Sequence, residues 1–436
     1  LFSDEIFAMM NHLIEVSCVP RLPSLRSSTF GMKNFLICTI AIVVAAVGLA
    51  ARLADARPPL RITTWNLEHM MSEQAYERWR DFCGSPQINW DEKKARRAGK
   101  PADITFCNVH NGLNWPSQRY QEALPLQTPE HYAIKVAALK KRAQKLDSDI
   151  FALQEVSDRD AMARVFAETD YKLFFAGPTD GSMGVGFAVR NKLAAAARTR
   201  AVDDLAICGP EDRRVKDDPG SCRQGSYRSR PGLELKIVYN NRPLFLLNVH
   251  LKSSCRKSPL DAPEKSAPAR VHEACATLRD QVVVLERWLD ERVGKDEDFV
   301  IVGDFNRDLA LELRSRMPAR LDGGDPATPI YPDTPIGSMF KELSDNEPPG
   351  AWLVFEWPDI AGPKKRTCRR PDGSTYTVRS CHRGIDHFLI TKDLLSRLAD
   401  GPKRLEAWGA DYGDEGYCAA HARPSDHCPL TIELAL

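Results

Sequence analysis

From residue 60 onward the sequence is a succession of short runs rich in β-branched and aromatic residues, and only two segments carry a clear helical period. That imbalance constrains the fold more than any other feature of the chain. The runs at 60–65, 150–153, 171–175, 185–190, 233–239, 243–251, 299–302, 385–390 and 428–434 read as strands. One helical stripe comprises Val136, Leu139, Ala143 and Leu146, leaving Lys135, Lys140, Lys141 and Lys145 mostly towards solvent. The other comprises Val271, Cys275, Leu278, Val282, Leu285 and Leu289. A doubly wound parallel sheet needs a helix between successive strands, so packed sheets flanked by helices are expected instead. No repeat or break in composition divides the region, and 57–436 reads as one domain. Polar insertions at 71–130, 191–230, 252–268, 307–350 and 361–383 hold most of the Pro, Gly and Cys, and loops of that length are usually functional or stapled.

The segment ahead of the domain reads as an export signal. Met32 is followed by Lys33, an apolar run over 35–51, and the small-x-small sequence Ala54-Asp55-Ala56. A signal peptide at 32–56, cleaved after Ala56, is expected; the alternative is an uncleaved anchor, since about seventeen apolar residues just span a bilayer. Residues 1–31 begin with Leu, show no sustained period, and read as a non-native upstream segment. The expected destination is the periplasm or the medium, as a monomer with no stable membrane insertion after cleavage.

Cysteine agrees with export. The chain has twelve; setting aside Cys18 and Cys38 leaves an even ten, in neighbouring couples Cys83/Cys107, Cys208/Cys222, Cys255/Cys275, Cys368/Cys381 and Cys418/Cys428. Local disulfides, at least three, are the simplest connectivity. No C-x-x-C spacing occurs, which argues against zinc. The formal net charge is only +1, so any attraction for a charged partner must be local.

Polar residues cluster where the strands end. The six tips are Thr64-Trp65-Asn66-Leu67-Glu68, Leu153-Gln154-Glu155-Val156, Asn248-Val249-His250-Leu251-Lys252-Ser253, Gly303-Asp304-Phe305-Asn306, Ile385-Asp386-His387 and Ser425-Asp426-His427-Cys428-Pro429. Each alone is an ordinary turn or solvated end. Together they form a set of carboxylates, carboxamides and imidazoles without thiolate, which suits Mg²⁺, Mn²⁺ or Ca²⁺. Hydrolysis of a phosphodiester needs charge neutralisation, a deprotonated water and an acid for the leaving oxygen, and these tips offer candidates for all three.

In this order the motifs W-N-x-E, L-Q-E-V, N-V-H-L-K-S, G-D-F-N, I-D-H and S-D-H-C-P-L resemble the endonuclease/exonuclease/phosphatase superfamily, the deoxyribonuclease I-like hydrolases, in its secreted bacterial form. The resemblance runs from about residue 60 to 434. It implies an α/β (α+β) four-layer sandwich: two packed, mostly antiparallel β-sheets flanked by helices, here with long disulfide-stapled insertions. It implies that Glu155 is the principal metal ligand, with Asn66 beside it and Asp426 as a further ligand. His427, paired with Asp386, becomes the general base or phosphate-polarising imidazole. Asp304 and Asn306 contact phosphate and position the nucleophile or leaving group, and His250 donates to a phosphoryl oxygen. Glu68, Lys252 and His387 are less secure and can serve packing, and Asp308 reads as a turn residue.

The superfamily spans nucleases, sphingomyelinases and inositol-polyphosphate phosphatases, so the substrate must be read outside the shared motifs. The stretch 364–383 carries seven Lys or Arg against one acid, Asp372, and runs directly into Asp386. Arg366, Arg369 and Arg370 in it, with Lys252, are the candidate substrate contacts, and Arg223 to Arg230 form a second basic patch. Clustered arginine suits a sugar-phosphate backbone, so nucleic acid is the expected substrate. A phospholipid phosphodiesterase, a small-molecule phosphatase and an inactive secreted binding module are the competing classes. The stretch 351–357, the only candidate for membrane contact, reads more simply as a strand.

Overall fold

The computed structural model describes residues 59–83, 129–177, 183–216, 218–223, 228–261, 268–314, 318–319, 336–346, 348–355, 365–369, 375–379, 384–396, 403–405, 425 and 427–434. The proposed upstream segment and signal peptide lie outside them. In chain order the first part supplies β1 (Leu60–Met70), α1 (Glu73–Cys83), α2 (Pro129–Leu146), β2 (Ile150–Val156), α3 (Arg159–Ala163), β3 (Tyr171–Ala176), β4 (Gly184–Arg190) and α4 (Asn191–Ala194). Next come β5 (Arg198–Val202), β6 (Gly232–Tyr239), β7 (Arg242–His250), α5 (Ala269–Val293), β8 (Asp298–Asp304), α6 (Leu309–Arg314) and α7 (Met339–Leu343). The chain continues through β9 (Leu353–Phe355), β10 (Lys365–Arg369), β11 (Thr375–Arg379), β12 (Asp386–Thr391), α8 (Lys392–Ser396), β13 (Lys403–Leu405) and β14 (Leu430–Leu434).

Two six-stranded sheets result, ordered β13-β14-β1-β2-β4-β3 and β5-β6-β7-β8-β12-β9. Each has one parallel pair, β1 with β2 and β7 with β8, and is otherwise antiparallel. Parallel neighbours need a crossover, and the two long helical stripes of the sequence provide it: α2 lies between β1 and β2, and α5 between β7 and β8.

Strand alternation divides the apolar side chains into separate bodies. Leu60, Ile62, Ile150, Ala152, Leu244, Leu246, Val300, Val302, Phe388 and Ile390 pack together in the body shared by both sheets. Their odd neighbours serve the outer layers. Trp65, Leu67, Phe151 and Leu153 join Tyr76, Trp79, Leu139 and Ala143 of α1 and α2, while Phe245, Leu247, Phe299 and Ile301 join Leu278, Val282 and Leu285 of α5. The order is therefore helix, sheet, sheet, helix, as the motifs imply.

The insertions are tied down covalently and by buried charge. Cys208 bonds Cys222, and Cys255 bonds Cys275 at the start of α5; Cys428 is disulfide-bonded as well. Cys107, Cys381 and Cys418 lie outside the described residues, as do the side chains of Cys83 and Cys368. Arg307, fully buried, donates to Glu312 (2.5 Å) and to the carbonyls of Cys255 and Ser258 (2.6 Å each). Glu312 in turn accepts from the Phe340 amide at 2.8 Å, capping the start of α7.

Two readings change. Lys135 is 1 % exposed, not solvated: its ammonium donates to the Glu68 carbonyl at 3.0 Å and pairs with the Glu68 carboxylate at 3.3 Å. The helix buries more than its apolar stripe because β1 runs past its expected end and brings a charge underneath. The insertions also contain strands that their polarity disguises. β5 is an edge strand whose Arg200 pairs with Glu234, and β10–β11 form a separate ribbon. The stretch 351–357 does supply the short edge strand β9.

Gly303 is fixed by geometry. Its φ is +141°, and an added Cβ would stand 2.1 Å from the Val249 carbonyl oxygen in the neighbouring strand. Gly303→Ala should therefore lower stability by about 3 kcal/mol or more in urea unfolding. A loss under half that size would show that β7 and β8 are not packed this tightly at their polar ends.

Candidate active site

The alternation that builds the inner core also builds the site. Continuing the inner face two residues at a time, β1 passes from Leu60 and Ile62 to Thr64 and Asn66, and β8 from Val300 and Val302 to Asp304. β7 reaches Asn248 and His250, and β12 begins with Asp386. The register sets these tips side by side: His250 lies opposite Asp304 and Asp304 opposite Asp386 on one sheet, with Asn66 opposite Gln154 on the other. The polar ends of both sheets thus meet at one rim of the inner layer. Behind them, Gln154 donates to Asn248 Oδ1 across the sheets at 2.7 Å, and Asn248 donates to the carbonyls of Leu153 and Gly186 at 2.9 Å. These bonds satisfy polar atoms that have no water to turn to.

Asp304 is the centre. Only 1 % exposed, it accepts from Asn66 Nδ2 at 3.1 Å on Oδ2 and from the Asn306 amide at 2.8 Å on Oδ1. Its Oδ2 lies 3.5 Å from His250 Nε2 and 3.9 Å from His427 Nε2. Burial pushes its carboxyl well above the usual aspartate range; His427 opposes this and Asp386 adds to it. Asn306, at φ +52°, turns the chain and donates to the Leu251 carbonyl at 3.1 Å.

Glu155 departs from the alternation. An odd position on β2 would face α2, but the residue adopts φ +56° and the β1–β2 register shifts between Asn66 and Met70. Opposite it Glu68 and His69 are also left-handed, at φ +51° and +54°. Each such residue costs about 1–3 kcal/mol and persists only where its surroundings over-determine it. Here the determinants are visible: the Glu68 amide donates to Asn66 Oδ1 at 2.9 Å, and Lys135 holds Glu68 from below. Burial alone would raise the Glu155 carboxyl. The imidazoles of His69, His250 and His427, with the Asn66 amide, outweigh it and hold Glu155 far below the ordinary carboxylate range.

The last motif is strapped onto β1. Ser425 Oγ donates to the Asn66 carbonyl (2.6 Å) and accepts from the His427 amide (3.0 Å), while Trp65 Nε1 donates to the His427 carbonyl at 3.2 Å. This explains why Trp precedes Asn and Ser precedes the Asp-His pair. His427 Nδ1 faces Asp386 Oδ2 at 2.9 Å, a carboxylate that fixes the ring with its proton on Nδ1.

His250 meets a guanidinium. Arg230 Nη2 lies 2.9 Å from His250 Nε2, and since arginine only donates, Nε2 accepts. Burial, reinforced by Arg230, pushes His250 well below the ordinary histidine range. The structure therefore gathers Asn66, Glu155, His250, Asp304, Asn306, Asp386 and His427. Asp426 and Arg370 lie outside the described residues, as do the side chains of Arg366 and Arg369. Lys252 sits one strand end away, its ammonium donating to the Ser253 carbonyl at 3.2 Å. His387, an odd residue of β12, faces outward and bonds the Arg307 carbonyl at 3.0 Å, and Asp308 caps α6 through the Leu311 amide at 3.0 Å. Of the basic patch 223–230, Arg223 and Arg228 are exposed, whereas Arg230 is buried in the site. Sequence reasoning missed Arg230 and His69; one hid in a charge run, the other in an irregular turn that no periodicity marks.

The donors fit a hard divalent cation. Glu155, His250 and Asp304 present ligand atoms within 4.8 Å of one another, as do Asp304, Asp386 and His427. Among the described residues, Asp386 Oδ1 is buried without a hydrogen-bond partner, an acceptor with capacity to spare. A four-layer sandwich with acid, amide and imidazole groups at one rim defines a class of metal-assisted hydrolase.

The family model described as Endonuclease/Exonuclease/phosphatase family matches residues 106–427, and the chain belongs to that family. Its members hydrolyse phosphate esters and are generally dependent on divalent metal. Among solved structures, the chain is similar to an endonuclease/exonuclease/phosphatase from Bacteroides vulgatus (TM-score 0.41, 14 % identity, covering 87 % of this chain and 99 % of that one). It is also similar to the human Nocturnin catalytic domain with bound sulfate (0.41, 12 %, 87 % and 95 %). A third is a Bacteroides thetaiotaomicron mannosyl-6-phosphatase (0.38, 14 %, 86 % and 99 %). No curated protein matches the sequence.

Asp304 holds its proton more tightly folded than unfolded. Its contribution to stability is therefore fully present below the usual carboxylate range and is lost as pH rises through the raised folded value. In chelator, Asp304→Asn should lose less stability than the parent between about pH 4 and neutrality. Parallel denaturation curves across that window would contradict the assigned shift.

Proposed function

We propose that the protein is an exported, divalent-metal-dependent phosphodiesterase that hydrolyses the backbone of nucleic acids. The carrying observation is the convergence of Asn66, Glu155, His250, Asp304, Asp386 and His427 at one sheet rim. Glu155 and Asn66, with Asp426, would hold Mg²⁺, or Mn²⁺ or Ca²⁺. Such an ion supplies positive charge that polarises the phosphoryl oxygens and eases deprotonation of water. His427, oriented by Asp386, moves a proton at Nε2 while the carboxylate stabilises the imidazolium. Asp304, tied to Asn66 and the Asn306 amide, positions the attacking or leaving oxygen. Arg230 takes the phosphoryl-facing place expected of His250: the Nε2 of that imidazole accepts from the guanidinium, and the guanidinium supplies the fixed positive charge of the wall.

The substrate reading rests on local charge. The β10–β11 ribbon pairs Lys365 with Arg379 and Arg369 with Thr375, and it ends seven residues before Asp386. Arg366, Arg369 and Arg370 would contact backbone phosphates without reading sequence. Two disulfides and the bonded Cys428 favour an oxidising compartment, in keeping with export.

The deciding assay offers plasmid DNA, RNA, sphingomyelin and inositol phosphates with Mg²⁺, each with and without chelator. Nucleic acid should be cleaved, chelation should abolish cleavage, and His427→Ala should reduce it by roughly 10²–10⁴-fold without changing the unfolding curve. Turnover of sphingomyelin or inositol phosphates with nucleic acid left intact would move the enzyme to another branch of its family.

A further inference from the structure

The backbone irregularity around His69 has no role in the chemistry assigned above. β1 carries extra residues opposite the end of β2: between the pairs Asn66–Gln154 and Met70–Val156 lie Leu67, Glu68 and His69 on one strand against Glu155 alone on the other. Two consecutive non-glycine residues in the left-handed region are a poor way to turn a chain unless the turn places something. What this turn places is His69. Its main-chain amide donates to Glu155 Oε2 at 3.1 Å, and its Nε2 lies 3.2 Å from the same oxygen. The other oxygen, Oε1, lies 3.7 Å from His250 Nε2, on the side of Asp304.

The turn is clamped on every side. Glu68 is fixed by Asn66 and by buried Lys135, and Met70 accepts from the Ser157 amide at 2.8 Å. The Met71 amide donates to the buried Tyr132 hydroxyl at 2.6 Å. Glu155 itself sits in a left-handed conformation at a strand end, where a carboxylate on three rotatable bonds could present either oxygen.

We propose that His69 is a positioning residue for Glu155. By engaging Oε2 through its amide hydrogen bond and the ion-pair contact of its imidazole Nε2, it leaves Oε1 to face His250 and Asp304 and so selects the oxygen offered to a divalent cation. This rests on the reading of Glu155 as a metal-holding group, and partners of this kind tune affinity more than they tune the reaction.

The test uses His69→Gly, which keeps the amide donor and suits the left-handed backbone, and His69→Asn, which restores a side-chain donor in that backbone. Mn²⁺ binding by calorimetry, the gain in unfolding temperature on adding Mn²⁺, and hydrolysis are read for each. His69→Gly should weaken Mn²⁺ binding about 10–100-fold, with kcat at saturating Mn²⁺ within a few-fold of the parent and no lower unfolding temperature in chelator. His69→Asn should recover a substantial part of the affinity. Parental affinity in His69→Gly would overturn the proposal. So would a loss of affinity that tracks lower stability in chelator, or one that Asn leaves unrecovered. Glu155→Gln is the separate control: if it binds Mn²⁺ as the parent does, the reading of Glu155 fails, whatever His69 does.

Discussion

The hydrogen bond from the Asn66 amide to the Asp304 carboxylate joins the two sheets at the point where their apolar cores give out. Neither group could sit there alone. A carboxylate that deep with no donor would lose its hydration uncompensated, and an unpaired amide would forfeit a bond it makes in water. Joined, they set the spacing of the sheets where the chemistry occurs. Asn66 also receives the last motif through Ser425, while Asp304 stands in register with His250 on one side and Asp386 on the other. The site is thus a continuation of the inner core in polar side chains, with Asn66, Glu155, His250, Asp304 and Asp386 carried on strands and Asn306 and His427 just beyond strand ends.

Against that regular background Glu155 is the exception, and it is made so at a cost. Reaching the inner rim from an odd position takes three left-handed non-glycine residues on two adjacent strands. The energy that holds them comes from a buried ammonium and a buried tyrosine hydroxyl on α2, behind the site, and from the doubly engaged Asn66 within it. Strain concentrated at one carboxylate, and supported from behind, is what a fixed ligand requires.

Much of this was legible before any coordinates. The rule of two places Asn66, His250, Asp304 and Asp386 on the face that carries Ile62, Leu246, Val302 and Phe388, and places His387 on the other. The conclusion that His387 serves packing therefore follows from parity alone. The long helical stripes correctly announce α2 and α5. Parity fails at Glu155 because a bulge inserts residues without leaving a pattern, and it fails for Lys135 because helix amphipathicity cannot foresee a buried partner from another strand. Arg230 escaped notice for a different reason. One arginine in a charged run looks like the others until the fold turns it inward.

The central claim is that residues from both sheets make one centre built to hold a divalent cation. Crystals soaked in Mn²⁺ and measured at the manganese absorption edge test it directly. The account predicts an anomalous peak at the rim, in contact with Glu155. Peaks confined to other sites, in a preparation whose hydrolysis depends on Mn²⁺, would contradict it.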